Sequence, residues 1–193
     1  MNTFILVGLG NPGPKYQWTR HNAGFLFLDR LANNENISIC RKSFSGLAGE
    51  WSFKGCRLIL LKPQTFMNLS GQAVMQALQF YKLPMSQLIV VHDELDLPFG
   101  AVRLKQGGGH GGHNGLRSII EQLGKGDFIR MRIGIGRPPQ GETVNYVLGN
   151  IPPEQMESLS QVLDGGLDML ETMLAEGVPK AMSLFNNRNY LEG

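Results

Sequence analysis

The stretch Leu88-Ile89-Val90-Val91-His92-Asp93-Glu94 carries four aliphatic residues straight into an imidazole and two carboxylates. An unbroken apolar run of this length reads as a strand buried on both faces, since a half-exposed strand would alternate. Its polar residues then fall at the strand's C-terminal end, the edge where open α/β sheets place their ligand sites. Upstream, Thr3 to Leu9 is a second short apolar run closed by glycine, and it reads the same way.

Working outward from these two strands, a loop is expected from Gly10 to His21. A helix follows from Asn22, its cap, with Phe25, Leu28, Leu31 and Ala32 on one face. Ser43 to Phe53 and Arg57 to Leu61 predict a hairpin followed by a buried stretch ended at Pro63, and Pro63 to Leu69 is loop-like. Ser70 is placed to cap a helix through Lys82, with Val74, Ala77, Leu78 and Tyr81 inward and Pro84 as the stop. Val102 to Lys105 predicts a short strand with Arg103 and Lys105 on one side, and Asn114 to Leu123 a helix burying Leu116, Ile119, Ile120 and Leu123. Ile129, Met131, Ile133 and Ile135 alternate with Arg130, Arg132 and Gly134, a half-exposed strand with an arginine face. A long helix is expected from Pro153 to Ala175, stopped at Gly177 and Pro179, and a short one to about Asn186. Strands alternating with helices give an α/β class: one domain over residues 1–193, a mixed, mostly parallel twisted sheet flanked by helices on both faces.

The composition excludes several classes. With 42% apolar and 18% charged residues the chain closes a core and is no disordered tail. Runs such as Phe4 to Val7 and Leu58 to Leu61 are far short of the roughly 20 residues of a membrane span. The N-terminus lacks a basic n-region and breaks at Gly8 and Gly10, so no secretion signal is expected. Cys40 and Cys56 are too few for a disulfide framework and form no CxxC pair, which fits the cytoplasm. The net charge of +2 hides a segregation: residues 1–99 hold nine basic and six acidic side chains, 100–137 seven and two, 138–193 two and eight. A basic middle segment lets a nearly neutral protein offer one face to a polyanion.

Glycine, at 25 of 193 residues, is about twice its usual frequency and clustered, so particular loops need unusual backbone. Gly8-Leu9-Gly10-Asn11-Pro12-Gly13 satisfies GxGxxG after a strand, yet the expected helix waits until Asn22 and no ribose-binding acid follows, so no dinucleotide is expected. Gly107 to Gly112 matches the same pattern but carries His110, and a mobile gate beside a site fits it better. His110 and His113 show HxxH spacing, but a glycine loop with no third ligand nearby is a poor tetrahedral cage. No GxSxG elbow exists, and neither cysteine has an activating neighbour, which leaves water as the nucleophile. Asn11, His21, Asn68, Asp93 and Asn114 lie in or beside loops, four of which leave the C-terminal ends of predicted strands. A histidine beside a carboxylate is a general base, and asparagine amides hold a water or an oxyanion without titrating. Each alone has a plainer reading, Asn22 and Asn114 above all as helix caps.

Five blocks together carry a resemblance: Gly8 to Gly13 with Tyr16 and Thr19-Arg20-His21-Asn22; Lys62 to Gly71, reading KPQTFMNLSG; His92 to Pro98; Gly107 to Gly115, reading GGGHGGHNG; and Arg132 to Pro138. In order and spacing they resemble bacterial peptidyl-tRNA hydrolase over nearly the whole chain, with only the part past Gly149 generic. The resemblance implies a cytoplasmic, usually monomeric esterase with no cofactor, no metal, no membrane association and no obligatory protein partner. It implies cleavage of the ester between a peptide, or an N-blocked aminoacyl group, and the 3′-terminal ribose of tRNA. On that resemblance His21 is the base, Asp93 stabilises its protonated form, and Asn11 helps distinguish a blocked from a free amine. Tyr16, Phe66, Asn68 and Asn114 contact the tRNA acceptor end, Met67 lines the same crevice, and Arg103, Lys105 and Arg132 hold tRNA phosphates. An RNA-binding protein without catalysis, stacking bases on Tyr16 and Phe66, is the alternative, and it leaves His21 and Asp93 without a task.

Overall fold

A computed structural model describes residues 1–192. Seven strands form one sheet in the order β2-β3-β4-β1-β5-β7-β6. They are β1 (Asn2–Gly8), β2 (Arg41–Ser43), β3 (Gly46–Phe53), β4 (Cys56–Pro63), β5 (Leu88–Glu94), β6 (Val102–Gln106) and β7 (Ile129–Gly134). The central four, β4-β1-β5-β7, are mutually parallel, while β2, β3 and β6 attach antiparallel at the two sides. This is the expected α/β class with a mixed sheet.

The apolar runs of β1, β4 and β5 have no polar face because helices cover both sides. Leu6, Leu58, Leu60, Ile89 and Val91 pack against α1 (Ala23–Glu35), α5 (Met156–Glu176) and α6 (Val178–Phe185). Their neighbours Ile5, Val7, Ile59, Leu61, Leu88 and Val90 pack on the opposite face against α2 (Ser70–Tyr81) and α3 (Asn114–Leu123). Side chains of period two thus divide between two cores.

The predicted elements are found with shifts at their ends. The hairpin-plus-strand region is a three-stranded meander whose first turn puts Phe44 and Ser45 at positive φ, residues that give no turn signal. A five-residue α4 (Thr143–Val147), which the sequence pattern did not reveal, has no buried residue. Three capping expectations are corrected. The Asn22 side chain makes no capping bond, Ser70 lies inside α2 and donates to the Met67 carbonyl at 2.8 Å, and the residue capping α3 is His113 instead of Asn114. The half-exposed arginine face of β7 is also corrected: Arg130 is 3% exposed. Among the described residues no helix is long and apolar enough to cross a membrane.

The glycines near the N-terminus serve packing. A Cβ on Gly24 would lie 2.4 Å from both the Leu9 nitrogen and the Val91 carbonyl, so only glycine lets the first turn of α1 rest on the ends of β1 and β5. That contact seats the preceding 3₁₀ turn, Arg20–Asn22, above the end of β5, where Asp93 points up.

Candidate active site

Because β1, β4, β5 and β7 run parallel, the loops that leave them gather on one edge of the sheet. There they enclose a cleft of about 730 Å³ whose lining includes Asn11, His21, Phe66, Met67, Asn68, Asp93, Lys105, Asn114 and Arg132. Nine of the eleven sequence candidates therefore converge. Tyr16, in a 3₁₀ turn at Pro14–Tyr16, and Arg103 lie outside this lining. Arg103 stands opposite Arg132 in the β6–β7 register, so the two cations share one patch of sheet.

At the floor of the cleft His21 Nδ1 meets both Asp93 oxygens, at 3.0 and 2.9 Å. On the other side His113 Nε2 lies 2.8 Å from Asp93 Oδ1. The second ring settles its own tautomer: His113 Nδ1 accepts from the backbone N–H groups of Gly115 and Leu116, at 3.1 and 3.3 Å, so its proton is on Nε2 and is donated to Asp93. His113 is thus both the cap of α3 and a hydrogen-bond donor to the buried carboxylate. His21 likewise donates from Nδ1, and its Nε2, without a partner among the described residues, faces the cleft as a lone-pair acceptor.

The electrostatics follow from burial and these contacts. Burial alone would push the Asp93 carboxyl up, but the two imidazoles hydrogen-bonded to it outweigh that effect and hold it well below the usual carboxylate range. Burial pulls the His21 imidazole down, while the charge and hydrogen bond of Asp93 more than compensate, leaving its pKa raised. His92, whose Nδ1 is 2.8 Å from the Asp93 carbonyl, is pushed down to about 3, above all by its burial. It therefore stays neutral.

Asn11 is held by its own backbone. The Asn22 side chain accepts from the Asn11 N–H at 2.8 Å and donates to its carbonyl at 2.9 Å, so Asn22 orients this loop instead of capping α1. The Asn11 Oδ1 accepts from the Met67 N–H at 2.8 Å, which leaves the Nδ2 donors without a protein partner beside His21. Asn68 and Phe66 are exposed on the rim, Phe66 by 59%. The glycine loop expected as a gate is tied down at two points: the buried Arg130 guanidinium donates to the carbonyls of Gly108 and Gly109, and also reaches Gly126. Arg132 pairs with Glu94 at 2.9 Å, at the cleft margin.

His21, Asp93 and His113 offer one ligand atom each within 4.8 Å of one another, a set that a metal ion could use. The protons fit the geometry better, since the His113 tautomer places an N–H where a ligand lone pair is required. His110 does not share a ligand set with His113; its Nδ1 accepts from Gly112 at 2.9 Å. Sequence reasoning missed His113 because histidine is a rare helix cap. The only available sign was its position directly before an amphipathic helix that follows a glycine loop.

A buried Asp–His pair with one imidazole nitrogen free, flanked by an amide donor, is equipped to activate water for attack on an acyl carbon. The family model described as peptidyl-tRNA hydrolase matches residues 5–192. The chain is 79% identical to the peptidyl-tRNA hydrolase of Pelobacter propionicus, with all of both chains covered, and 60% identical to that of Geobacter sulfurreducens, with 99% of each covered. The crystal structure of peptidyl-tRNA hydrolase from Acinetobacter baumannii superimposes with a TM-score of 0.91 at 41% identity, covering 98% of this chain and 97% of that one. On fold, site and sequence together, the chain belongs to the peptidyl-tRNA hydrolase family.

Proposed function

We propose that this protein hydrolyses the ester joining a peptide, or an N-blocked aminoacyl group, to the 3′-terminal ribose of tRNA, in the cytoplasm and as a monomer, recycling tRNA from prematurely released peptidyl-tRNA. The observation that carries the reading is the His21–Asp93 pair, buried at the floor of a wide cleft with His21 Nε2 left open. In this mechanism His21 Nε2 takes a proton from water as the oxygen attacks the ester carbonyl, and Asp93 steadies the imidazolium that forms. The Asn11 Nδ2 group donates to the oxyanion or to the acyl amide, a role it fills without titrating. The imidazolium then returns its proton to the leaving ribose oxygen.

Binding is divided between two sides. Phe66, Asn68 and Asn114 on the rim take the acceptor end, with Tyr16 on the neighbouring loop, and Met67 closes the crevice behind them. Arg103, Lys105 and Arg132 hold phosphates from the sheet face beyond α3. Val144, Val147 and Leu148, which also line the cleft, give it an apolar wall for the peptide. The test is release of free tRNA from N-acetyl-aminoacyl-tRNA, with and without chelator. The native protein should release it in both conditions, and His21→Ala should abolish release while still binding tRNA. Unchanged turnover in that variant would falsify the assignment of the base.

A further inference from the structure

The apolar wall of the cleft rests on little of its own. α4 is five residues long, buries none of them, and is preceded by Gly136 and Gly141 at φ 74° and 87°. Val144 and Leu148 are 68% and 40% exposed although both line the cleft. What fixes α4 is the residue before the catalytic histidine. The Arg20 guanidinium carbon lies 4.2 Å from the Tyr146 ring centroid, and its Nη1 donates to the Tyr146 carbonyl at 3.2 Å. The Arg20 backbone N–H donates to the Gly149 carbonyl at 3.1 Å, and the Ile151 N–H to the Trp18 carbonyl at 2.8 Å. Gly149 permits the approach: a Cβ there would lie 3.0 Å from Arg20 Nη1 and 3.2 Å from two carbonyls. The Tyr146 hydroxyl donates to the Ile135 carbonyl, and the Ile135 N–H donates to the Glu94 carbonyl at 3.0 Å, next to Asp93. A brace thus runs from the turn holding His21, through α4, to the strand holding Asp93.

We propose that Arg20 is a positioning residue, locking α4 through Tyr146 so that the apolar wall of the cleft is held at a fixed distance from His21, against the acyl part of the substrate. The inference rests on the peptidyl-tRNA reading for the identity of that substrate. The two ends of the brace differ in stiffness. His21 and Asn22 are buried and tied separately to Asp93 and Asn11, whereas α4 buries no side chain and beyond Arg20 is tied through the Tyr146 hydroxyl and the backbone bonds at Gly149 and Ile151. Removing the Arg20 side chain therefore loosens the wall and leaves the base in place. A planar cation is needed for the stack, and an ammonium does not replace it.

The experiment compares Arg20→Ala, Arg20→Lys, Tyr146→Ala and the Arg20→Ala/Tyr146→Ala double variant on N-acetyl-aminoacyl-tRNA, alongside amide hydrogen exchange without substrate. Each variant should raise KM about ten-fold, the effect of one charge-assisted contact, with kcat and the acid limb of the pH profile unchanged. The double variant should be no worse than either single one, and the amides of residues 144–149 should exchange faster while those of β1 and β5 do not. Rescue by Arg20→Lys, together with a salt dependence shallower by about one phosphate contact in Arg20→Ala, would make Arg20 a direct phosphate ligand and overturn the proposal. Unchanged exchange at 144–149 would overturn it as well. Failure of the native protein to release tRNA in the same assay would instead sink the functional reading, and the exchange result would still decide the brace.

Discussion

Asp93→Asn tests the site most sharply, because two rings depend on one carboxylate in different ways. Asparagine keeps the shape of the side chain but has one acceptor oxygen and one donor nitrogen. The His113 tautomer is set from behind by the Gly115 and Leu116 N–H groups, so its Nε2–H must still donate, and it claims the single oxygen. The amide nitrogen then takes the place of the oxygen that accepts from His21 Nδ1 at 2.9 Å, and the remaining oxygen, 3.0 Å from the same nitrogen, is already engaged by His113. Donor against donor is untenable, so the His21 proton moves to Nε2, and the nitrogen that should accept from water becomes a donor. Restoring the working tautomer costs the charge-assisted bond, about 1.5–3 kcal/mol, plus the clash of two unpaired donors. Each 1.36 kcal/mol is about ten-fold in rate, so kcat should fall by about 10²–10⁴, the scale of an Asp-to-Asn change in serine-protease triads. The pH profile should change too. The raised His21 pKa depends on the Asp93 charge, and the base must be neutral, so activity rises as pH climbs through that pKa. With the charge gone, the acid limb should move to lower pH. The assay is single-turnover release of tRNA from N-acetyl-aminoacyl-tRNA at saturating enzyme, across about pH 5.5 to 8.5. A variant that stays within ten-fold of the native rate, with its acid limb unmoved, would refute the tautomer argument.

Three further outcomes are expected. Lys105→Ala and Arg132→Ala should raise KM and flatten its salt dependence with kcat nearly intact, and Arg132→Ala should do more because it also releases Glu94 as an uncompensated carboxylate in the cleft; a fall in kcat alone would move these residues into the chemistry. Asn11→Ala should relax discrimination between blocked and free aminoacyl-tRNA, read as the ratio of the two kcat/KM values, and an unaltered ratio removes Asn11 from that role. His92, at about 3 in the folded protein against 6.5 for a free imidazole, takes up its proton only in the unfolded chain over that interval. Native stability should therefore drop as pH falls from about 6.5 toward 3, by on the order of 4 kcal/mol, and His92→Asn should flatten that slope in urea titrations at successive pH values.

The fold was legible where one physical demand dominates. Unbroken aliphatic runs in β1 and β5 have no stable home except between two layers of helix, and their polar ends have no place except the sheet edge. His21, Asp93 and Asn11 were legible for the same reason, since the parallel strand order brings those ends together. The caps were not. Asn22 reads as a helix start because an asparagine in front of an apolar pattern usually is one. Its amide instead satisfies the backbone of Asn11, a partner eleven positions away that sequence spacing does not announce. Phe44-Ser45 lacks turn chemistry, and α4 lacks an apolar core face, so neither left a periodic trace.

The hidden part of the site has a common cause. An isolated carboxylate that is 3% exposed is costly to bury, and no arginine or lysine pairs with Asp93 among the described residues. The fold meets that cost with two neutral N–H donors, one from the turn before α1 and one from the cap of α3, because a full cation at Asp93 would cancel the field that raises the His21 pKa. A second requirement follows: the α3 cap must be a histidine, since a serine or aspartate cap there would satisfy the helix and leave the carboxylate one donor short. The glycine loop leading to it must in turn be held, and buried Arg130, spent on the carbonyls of Gly108 and Gly109 instead of facing solvent, holds it. His113 and Arg130 thus depart from their local expectations together, for one reason that becomes visible only when the charge of Asp93 is accounted for.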